Sequence, residues 1–422
     1  MRLIPSASAL PHSRHLLAPR RHLLVQMDSW DVHKFGGTSV GSAECMMRCI
    51  AIIRPRLQDQ RVAVVVSAMG GKPKVTDLLL DSVYAAAENK SEVSEAKLTQ
   101  IQVKHTNCVS ELLHPEAAKT ILQKIDADLK DIRDLLRAVS LMRMAHEQIL
   151  ELVSGYGELW SATIMTEAML ERGLPFVFLN ARDVLMVSEN ELGTNVHWEE
   201  STLKLKQWIA RVDEESAKLG KPRPHLMITG YIASTLDGIA TTLKRDGSDF
   251  SASIFGRMLS STGITIWTDV SGVYSADPRR VPDAQIIPLV SYTEAIELAY
   301  FGAKVIHPKT MSPAIDAQIP IYIRTSALID LWLISDTLRQ HLRAGAPRHQ
   351  DIPSPGQGRD HPGEVRLRVQ HRRQHRAPQR GGLGHDRSAR HSSPTLRRSQ
   401  GVERIGHVHR PGLIRAQHLL CD

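Results

Sequence analysis

Apolar residues along this chain follow two alternating periods. The run Val62-Ala63-Val64-Val65-Val66 has no polar position, which predicts a strand buried on both faces. Comparable runs are Phe176–Leu179, Leu226–Thr229, Ile264–Trp267 and Ile319–Ile323. Between them apolar residues recur at helical spacing, most extensively from Ala96 to Leu152. There Leu135, Leu136 and Val139 share a face and Pro115 marks a break. Strands interleaved with helices predict an α/β domain whose mainly parallel sheet is covered on both sides, with the long helical pair as an insertion. No apolar run approaches the ~18–20 residues of a membrane span. After about Trp332 neither period continues.

Charge changes this picture only once it is located. The formal total of +8 would suggest an anionic partner. From His341 to Asp422, however, there are 16 Arg, no Lys and 6 acidic residues, which is +10 and leaves −2 for the rest. The basicity belongs to a tail. Residues 333–422, rich in Arg, His, Pro and Gly, lack the apolar surface to offset chain entropy and are expected to be disordered. A nucleic-acid-binding role for that tail is the alternative of a different class. No aromatic residues are interleaved with its arginines and no known module is present.

The other end differs again. Residues 1–27 contain four Arg, three Ser and no Asp or Glu, the composition of an organellar transit peptide. A disordered extension or a misplaced start is the plainer alternative. Four cysteines do not make a disulfide framework. Cys45 and Cys49 share a predicted helix face with no further ligand at zinc spacing, so they are read as core.

Three segments concentrate chemistry. Lys34-Phe35-Gly36-Gly37-Thr38-Ser39-Val40-Gly41 lies between a short strand and a helix beginning near Ser42. Paired glycines admit positive φ and close backbone approach, so amides can converge on phosphate oxygens near a helix N-terminus. Lys34 adds a mobile positive charge. The lysine precedes the glycines, which is neither the P-loop order nor the dinucleotide-binding spacing. A turn that merely ends a strand is the bland alternative.

The second segment, Thr242 to Ala252, joins a strand to a helix. Gly247 permits the turn, Ser248 is a candidate N-cap, Arg245 can clamp a carboxylate and Asp249 lies in the first helical turn. An ordinary capped helix start is its alternative. The third, Trp267-Thr268-Asp269-Val270-Ser271-Gly272-Val273-Tyr274 with Asp277-Pro278-Arg279, leaves a strand at its carboxyl end, where open α/β sheets bind ligands. Two weaker features are Glu158 within Gly155–Ser161 and Lys304 within Phe301–Pro308; either charge could be merely solvated.

Taken in order, Lys34–Ser39, Ser67-Ala68-Met69 with Val75-Thr76-Asp77, Gly157–Ser161, Thr242–Asp249, Thr268-Asp269-Val270 and Phe301–Pro308 resemble the aspartate kinases. The similarity is greatest to the kinase half of bifunctional aspartokinase/homoserine dehydrogenases and spans about Val32 to Thr325. The resemblance implies the amino-acid-kinase fold, a three-layer αβα sandwich around an open, mainly parallel sheet. It implies ATP with Mg²⁺ as phosphoryl donor, L-aspartate as acceptor, homo-oligomers and, from the plant relatives, a plastid destination. By similarity Lys34 and Asp249 are catalytic. Thr76, Glu158, Arg245, Asp246, Gly247 and Ser248 would bind aspartate, with Glu158 on its ammonium and Arg245 on its α-carboxylate. Lys34, Gly36, Gly37, Thr268, Asp269, Tyr274, Arg279, Lys304 and Val305 would bind ATP. The stretch from Met69 to Val75 is longer than the expected form.

After Thr325 the family continues into paired ACT-type regulatory domains that help build the dimer, and neither they nor a dehydrogenase is recognisable here. A lysine-free, Arg/His/Pro/Gly-rich tail is what a GC-rich coding region yields when read out of frame, and that is the expectation for this segment. Other reading frames of the gene that encode no ACT-like sequence would refute it.

Overall fold

The run at 62–66 lies where its lack of polar positions requires, inside a sheet. The computed structural model describes residues 29–190, 193–244, 246–270, 272–277, 280–300, 308–326 and 365–368. The chain divides into two units, Met1–His371 and Arg372–Asp422, and all described residues belong to the first. Strands β1 (Trp30–Phe35) and β2 (Arg61–Val66) are parallel neighbours, with Val32 opposite Ala63 and Lys34 opposite Val65. Every residue of β2 is buried. Val62, Val64 and Val66 enter one apolar cluster, while Ala63 and Val65 enter another on the opposite face. That division follows from the two-residue side-chain period of a strand and makes the sheet the middle of three layers.

The first face is covered by α1 (Ala43–Ile53), α2 (Val75–Ala87), α3 (Ser91–Leu112), α4 (Pro115–Met142), α5 (Glu147–Ser154) and α6 (Tyr156–Glu171). Helix α4 buries Ile121, Ile125, Leu129, Ile132, Leu136 and Val139, a stripe at three- and four-residue spacing, and starts with Pro115 in its first turn. The predicted insertion is therefore the α3–α4 pair. It is a further tier on the same core as β2, because Leu98, Ile101 and Leu129 belong to that cluster.

Further along the chain are β3 (Phe176–Leu179), the hairpin of β4 (Val187–Asn190) and β5 (Gly193–Val196), α7 (Trp198–Lys218) and β6 (His225–Thr229). A second hairpin, β7 (Ile232–Ser234) with β8 (Ala240–Thr242), precedes α8 (Gly247–Met258) and β9 (Gly263–Thr268). The remaining elements are β10 (Leu289–Ser291), α9 (Tyr292–Tyr300), α10 (Pro308–Asp316), β11 (Ile321–Thr325) and β12 (Val365–Arg368). Helices α7 to α10 supply the second face.

Six strands run parallel in the order β11-β9-β1-β2-β6-β3. At one edge β12 is antiparallel to β11 and carries β10 beside it. The chain leaves β1 through α1 on one face and enters β9 through α8 on the other, so loops from both faces meet at the carboxyl ends of the central strands.

Two expectations shift. The strand read at 319–323 forms at Ile321–Thr325, because Pro320 has no N–H for the ladder and contributes only its carbonyl, which accepts from Ile264 at 3.0 Å. Within the tail read as lacking regular structure, Val365–Arg368 form a strand. The β4–β5 hairpin is too polar to show as a buried run, whereas β8 coincides with the strand expected before the Thr242 segment. Residues 1–28, the tail outside 365–368, Arg245, Arg279, Lys304 and Val305 lie outside the described residues.

Candidate active site

The carboxyl ends of β1, β2, β6 and β9 bring most of the described candidates together. At the end of β1 the Gly36 N–H donates to the Trp267 carbonyl of β9 at 3.4 Å. At the end of β2 the Ser67 N–H donates to the Phe35 carbonyl at 3.2 Å. The Gly230 N–H, after β6, donates to the Val66 carbonyl at 2.9 Å. Four strand ends are thus stitched edge to edge by backbone.

Of the two properties expected of the glycine pair, positive φ and close backbone approach, the structure uses the second, at Gly37. Gly36 has φ −72°, and neither residue adopts positive φ. The requirement is closeness. A Cβ on Gly37 would lie 2.9 Å from the Ala68 carbonyl oxygen and 3.2 Å from the Gly70 Cα, and one on Gly70 would overlap the Gly37 carbonyl. The Gly70 N–H donates to that carbonyl at 2.8 Å, so the loops after β1 and β2 touch backbone to backbone. Lys104 of α3 donates to the Gly70 and Pro73 carbonyls, so the insertion braces the lengthened 69–75 stretch.

Lys34 projects from β1 and pairs with Asp249 of α8, Nζ to Oδ1 at 2.7 Å, with only 8% of the residue exposed. A Cβ on Gly36 would sit 3.4 Å from that Nζ, so the ammonium lies against the glycine backbone. Lys34 reaches α8 because even-numbered β1 residues face that side, as Val32 does in the core.

The turn into α8 is built differently from the expectation. Ser248 is inside the helix rather than its N-cap; Asp246 occupies the cap in the left-handed region, φ 55°, and Lys244 is left-handed too, φ 61°. Gly247 does not supply the positive φ. Instead a Cβ there would lie 2.7 Å from the Tyr231 ring, so its smallness admits that ring. Ser248 packs on Gly230, where a Cβ would come 2.7 Å from its Oγ.

Glu158 enters from α6. A Cβ on Gly157 would lie 2.6 Å from the Ala68 Cβ, so the helix start lies hard against the loop after β2. The Ala68 N–H donates to Glu158 Oε1 at 3.0 Å, while the buried Oε2 has no protein partner. Burial pushes the Glu158 carboxyl up to about 8, against the opposing pull of the Ala68 hydrogen bond and the Arg182 charge. Thr76 is the second residue of α2, half-buried, next to Val75, whose N–H donates to the Met69 carbonyl at 3.0 Å.

Thr268 and Asp269 follow β9, where the Thr268 hydroxyl donates to the Asp269 carboxylate at 2.9 Å. Tyr274 lies further out, bridging Ile286.

Arg182 was not singled out in sequence. It lies in a turn after β3, pinned by the Ala181 N–H donating to Thr229 Oγ1 at 2.8 Å, and a Cβ on Gly155 would overlap its guanidinium. Its signal was position, immediately past the carboxyl end of a strand. Lys244 and its acidic partners, from three separate elements, left no such signal.

Comparison with known proteins places this geometry. The pattern that describes the amino acid kinase family matches residues 30–325. The chloroplastic bifunctional aspartokinase/homoserine dehydrogenase 1 of Arabidopsis thaliana is 40% identical over 304 residues, 71% of this chain and 32% of that protein. Its Zea mays counterpart is 41% identical over 304 residues, 71% of this chain and 31% of that protein. Escherichia coli aspartokinase III, solved in complex with aspartate and ADP, superposes with a TM-score of 0.60 at 31% identity, covering 70% of this chain and 62% of that one. The chain spans about a third of the length of the plant proteins it matches.

Proposed function

We propose, from the premise that this chain belongs to the amino acid kinase family, that it transfers the γ-phosphoryl group of ATP to the β-carboxylate of L-aspartate. The β,γ phosphoanhydride bond breaks, a carboxylate oxygen bonds to phosphorus, and ADP and 4-phospho-L-aspartate leave. The observation that carries the reading is the Lys34–Asp249 pair at 2.7 Å against the Gly36 backbone. A cation fixed at the strand ends suits a reaction whose nucleophile is already ionised at neutral pH. Such a reaction needs positioning and charge neutralisation rather than a strong base.

Lys34 would balance charge on the phosphoryl oxygens, and Asp249 would hold it there. Glu158 would take the substrate ammonium on its unpartnered Oε2. Arg245, Thr76, Asp246, Gly247 and Ser248 would complete the aspartate site. Gly36, Gly37, Thr268, Asp269, Tyr274, Arg279, Lys304 and Val305 are the proposed ATP contacts. Mg²⁺ would arrive on the nucleotide and offset phosphate charge. Support for aspartate comes from the aspartokinase relatives and from the E. coli aspartokinase III complex with aspartate and ADP.

The test is ATP-dependent acyl-hydroxamate formation by the full chain. L-Aspartate is expected to turn over, and N-acetyl-L-aspartate, which has no ammonium for Glu158, to react at least about 100-fold more slowly in kcat/KM. Equal turnover of the two would favour a family member acting on an N-blocked or non-amino acid substrate. The proposed compartment is the plastid, supported by the acid-poor residues 1–27 and the chloroplastic plant relatives. A fluorescent fusion of residues 1–60 should enter plastids, and cytosolic fluorescence would refute it.

A further inference from the structure

We propose that Lys244 is a positioning residue that fixes the turn into α8, with Asp246, Gly247 and Ser248, relative to the helix carrying Glu158, and so sets the affinity for the amino-acid substrate; this rests on the aspartate-kinase reading above. Lys244 and Asp246 flank Arg245 in sequence, and both hold the left-handed backbone region, φ 61° and φ 55°. Side chains other than glycine disfavour that region, so two such residues so close together must be stabilised from outside the turn.

The outside support is ionic. Lys244 Nζ lies 2.5 Å from Glu147 and 2.5 Å from Glu151, both on α5, and 3.5 Å from Glu189 on β4. Glu151 is 9% exposed and also accepts from the hydroxyls of Thr241 at 3.0 Å and Thr242 at 3.3 Å, the last residues of β8. One carboxylate therefore fastens both the strand entering the turn and the first residue of the turn. Partial burial by itself would lower the Lys244 pKa, but the bonds to Glu147 and Glu151 outweigh it and keep the ammonium charged. Without that charge, the largely buried Glu151 carboxylate would have no ion-pair partner among the described residues.

The place where this fastening ends gives it a function. Helix α5 runs through Gly155 directly into α6, whose first turn holds Glu158. An α-amino acid presents an ammonium and a carboxylate a fixed distance apart, so a site that reads both must hold its own acid and base at a matching separation. Lys244 ties the turn into α8, next in sequence to the base, to the segment bearing the acid. Among the described residues Lys34, Gly36 and Gly37 form no hydrogen bond or ion pair with Lys244, Glu147, Glu151 or Glu189, and Lys34 meets the turn through Asp249, whose N–H donates to the Asp246 carbonyl at 3.1 Å. The effect should therefore fall on aspartate and spare ATP.

The experiment is steady-state kinetics of the full chain carrying Lys244→Met, Lys244→Arg, Lys244→Gly or Glu151→Gln, each checked by thermal unfolding. Lys244→Met is expected to raise KM for L-aspartate by about tenfold while KM for ATP stays within about twofold. Lys244→Arg should restore the wild-type value. Lys244→Gly accepts the left-handed backbone but has no ammonium, and should behave like Lys244→Met. A wild-type aspartate KM in Lys244→Gly, or an equal rise in both KM values, overturns the proposal. If Lys244→Met does not fold, Glu147→Gln at the more exposed end of the network should give a smaller shift in the same direction.

Tryptic cleavage after Arg245, followed by mass spectrometry, separates this proposal from the activity. It should speed up several-fold in Lys244→Met and not in Lys244→Arg. Accelerated cleavage in Lys244→Met, together with a folded wild-type chain that does not turn over aspartate, would sink the kinase reading alone. Unchanged cleavage would sink the role of Lys244.

Discussion

Replacing Lys34 by alanine is expected to lower kcat for aspartate phosphorylation by on the order of 10³-fold, with a much smaller change in KM for aspartate. Lys34 is held at the strand ends, 2.7 Å from Asp249 and against the Gly36 backbone. A preorganised cation in a largely buried position stabilises developing phosphoryl charge more than a solvated one does, because little water is present to screen it. Lys34→Ala does more than remove that charge. It leaves the Asp249 carboxylate without its cation where anionic phosphate must bind, which adds repulsion. The double variant Lys34→Ala/Asp249→Asn should therefore be no slower than Lys34→Ala, although Asp249→Asn alone is expected to be impaired because it frees the lysine. Hydroxamate assays on the four proteins check this. Additive losses would mean that the two residues act independently and that the pair is structural.

Replacing Glu158 by glutamine is expected to raise KM for L-aspartate by about 100-fold and to abolish its pH dependence. Burial pushes the Glu158 carboxyl up to about 8, so at pH 7 it is mostly protonated. An aspartate ammonium needs the carboxylate. Binding at pH 7 should therefore release close to one proton, and KM for aspartate should fall as pH rises from 6 towards 8. Calorimetry in buffers of different ionisation enthalpy reads the proton directly. No buffer dependence would show that Glu158 is already ionised or does not meet the ammonium.

The same shift sets a stability trend. The ordinary carboxyl value is 4.5 and the folded value about 8, so between them the native state holds a proton that the unfolded chain releases. This contribution is complete below pH 4.5 and is lost as pH rises through 8. Glu158→Gln should remove that part of the decline, as denaturant unfolding at pH 5 and pH 8.5 would record.

Several features were legible before any coordinates. The run at 62–66 demanded burial on both faces, and the sheet gives β2 exactly that environment on each side, with valines dividing between two clusters. The stripe on α4 and the break at Pro115 located the helical insertion. The order of the motifs from Lys34 to Asp269 pointed to one family. Each of these signals is local, since a strand or helix writes its buried face into neighbours two, three or four positions apart.

What only the tertiary structure decided depends on atoms far apart in sequence. The glycine pair offered positive φ and close approach alike in sequence, and the fold uses the second, at Gly37, because the loop after β2 lies against it. Gly247 makes room for Tyr231, and the handedness falls to Lys244 and Asp246. Glu158 was legible as a candidate for the substrate ammonium, with a solvated charge as the alternative, but its protonation is set by the packing that takes water away from it. The three carboxylates around Lys244 come from α5 and β4, which no window along the chain could join to β8. Periodicity is a property of a segment, so the sequence determined the layers and the family. Desolvation, close approach and ion pairing are properties of an assembled neighbourhood, so the charge states and positioning within the site had to await the fold.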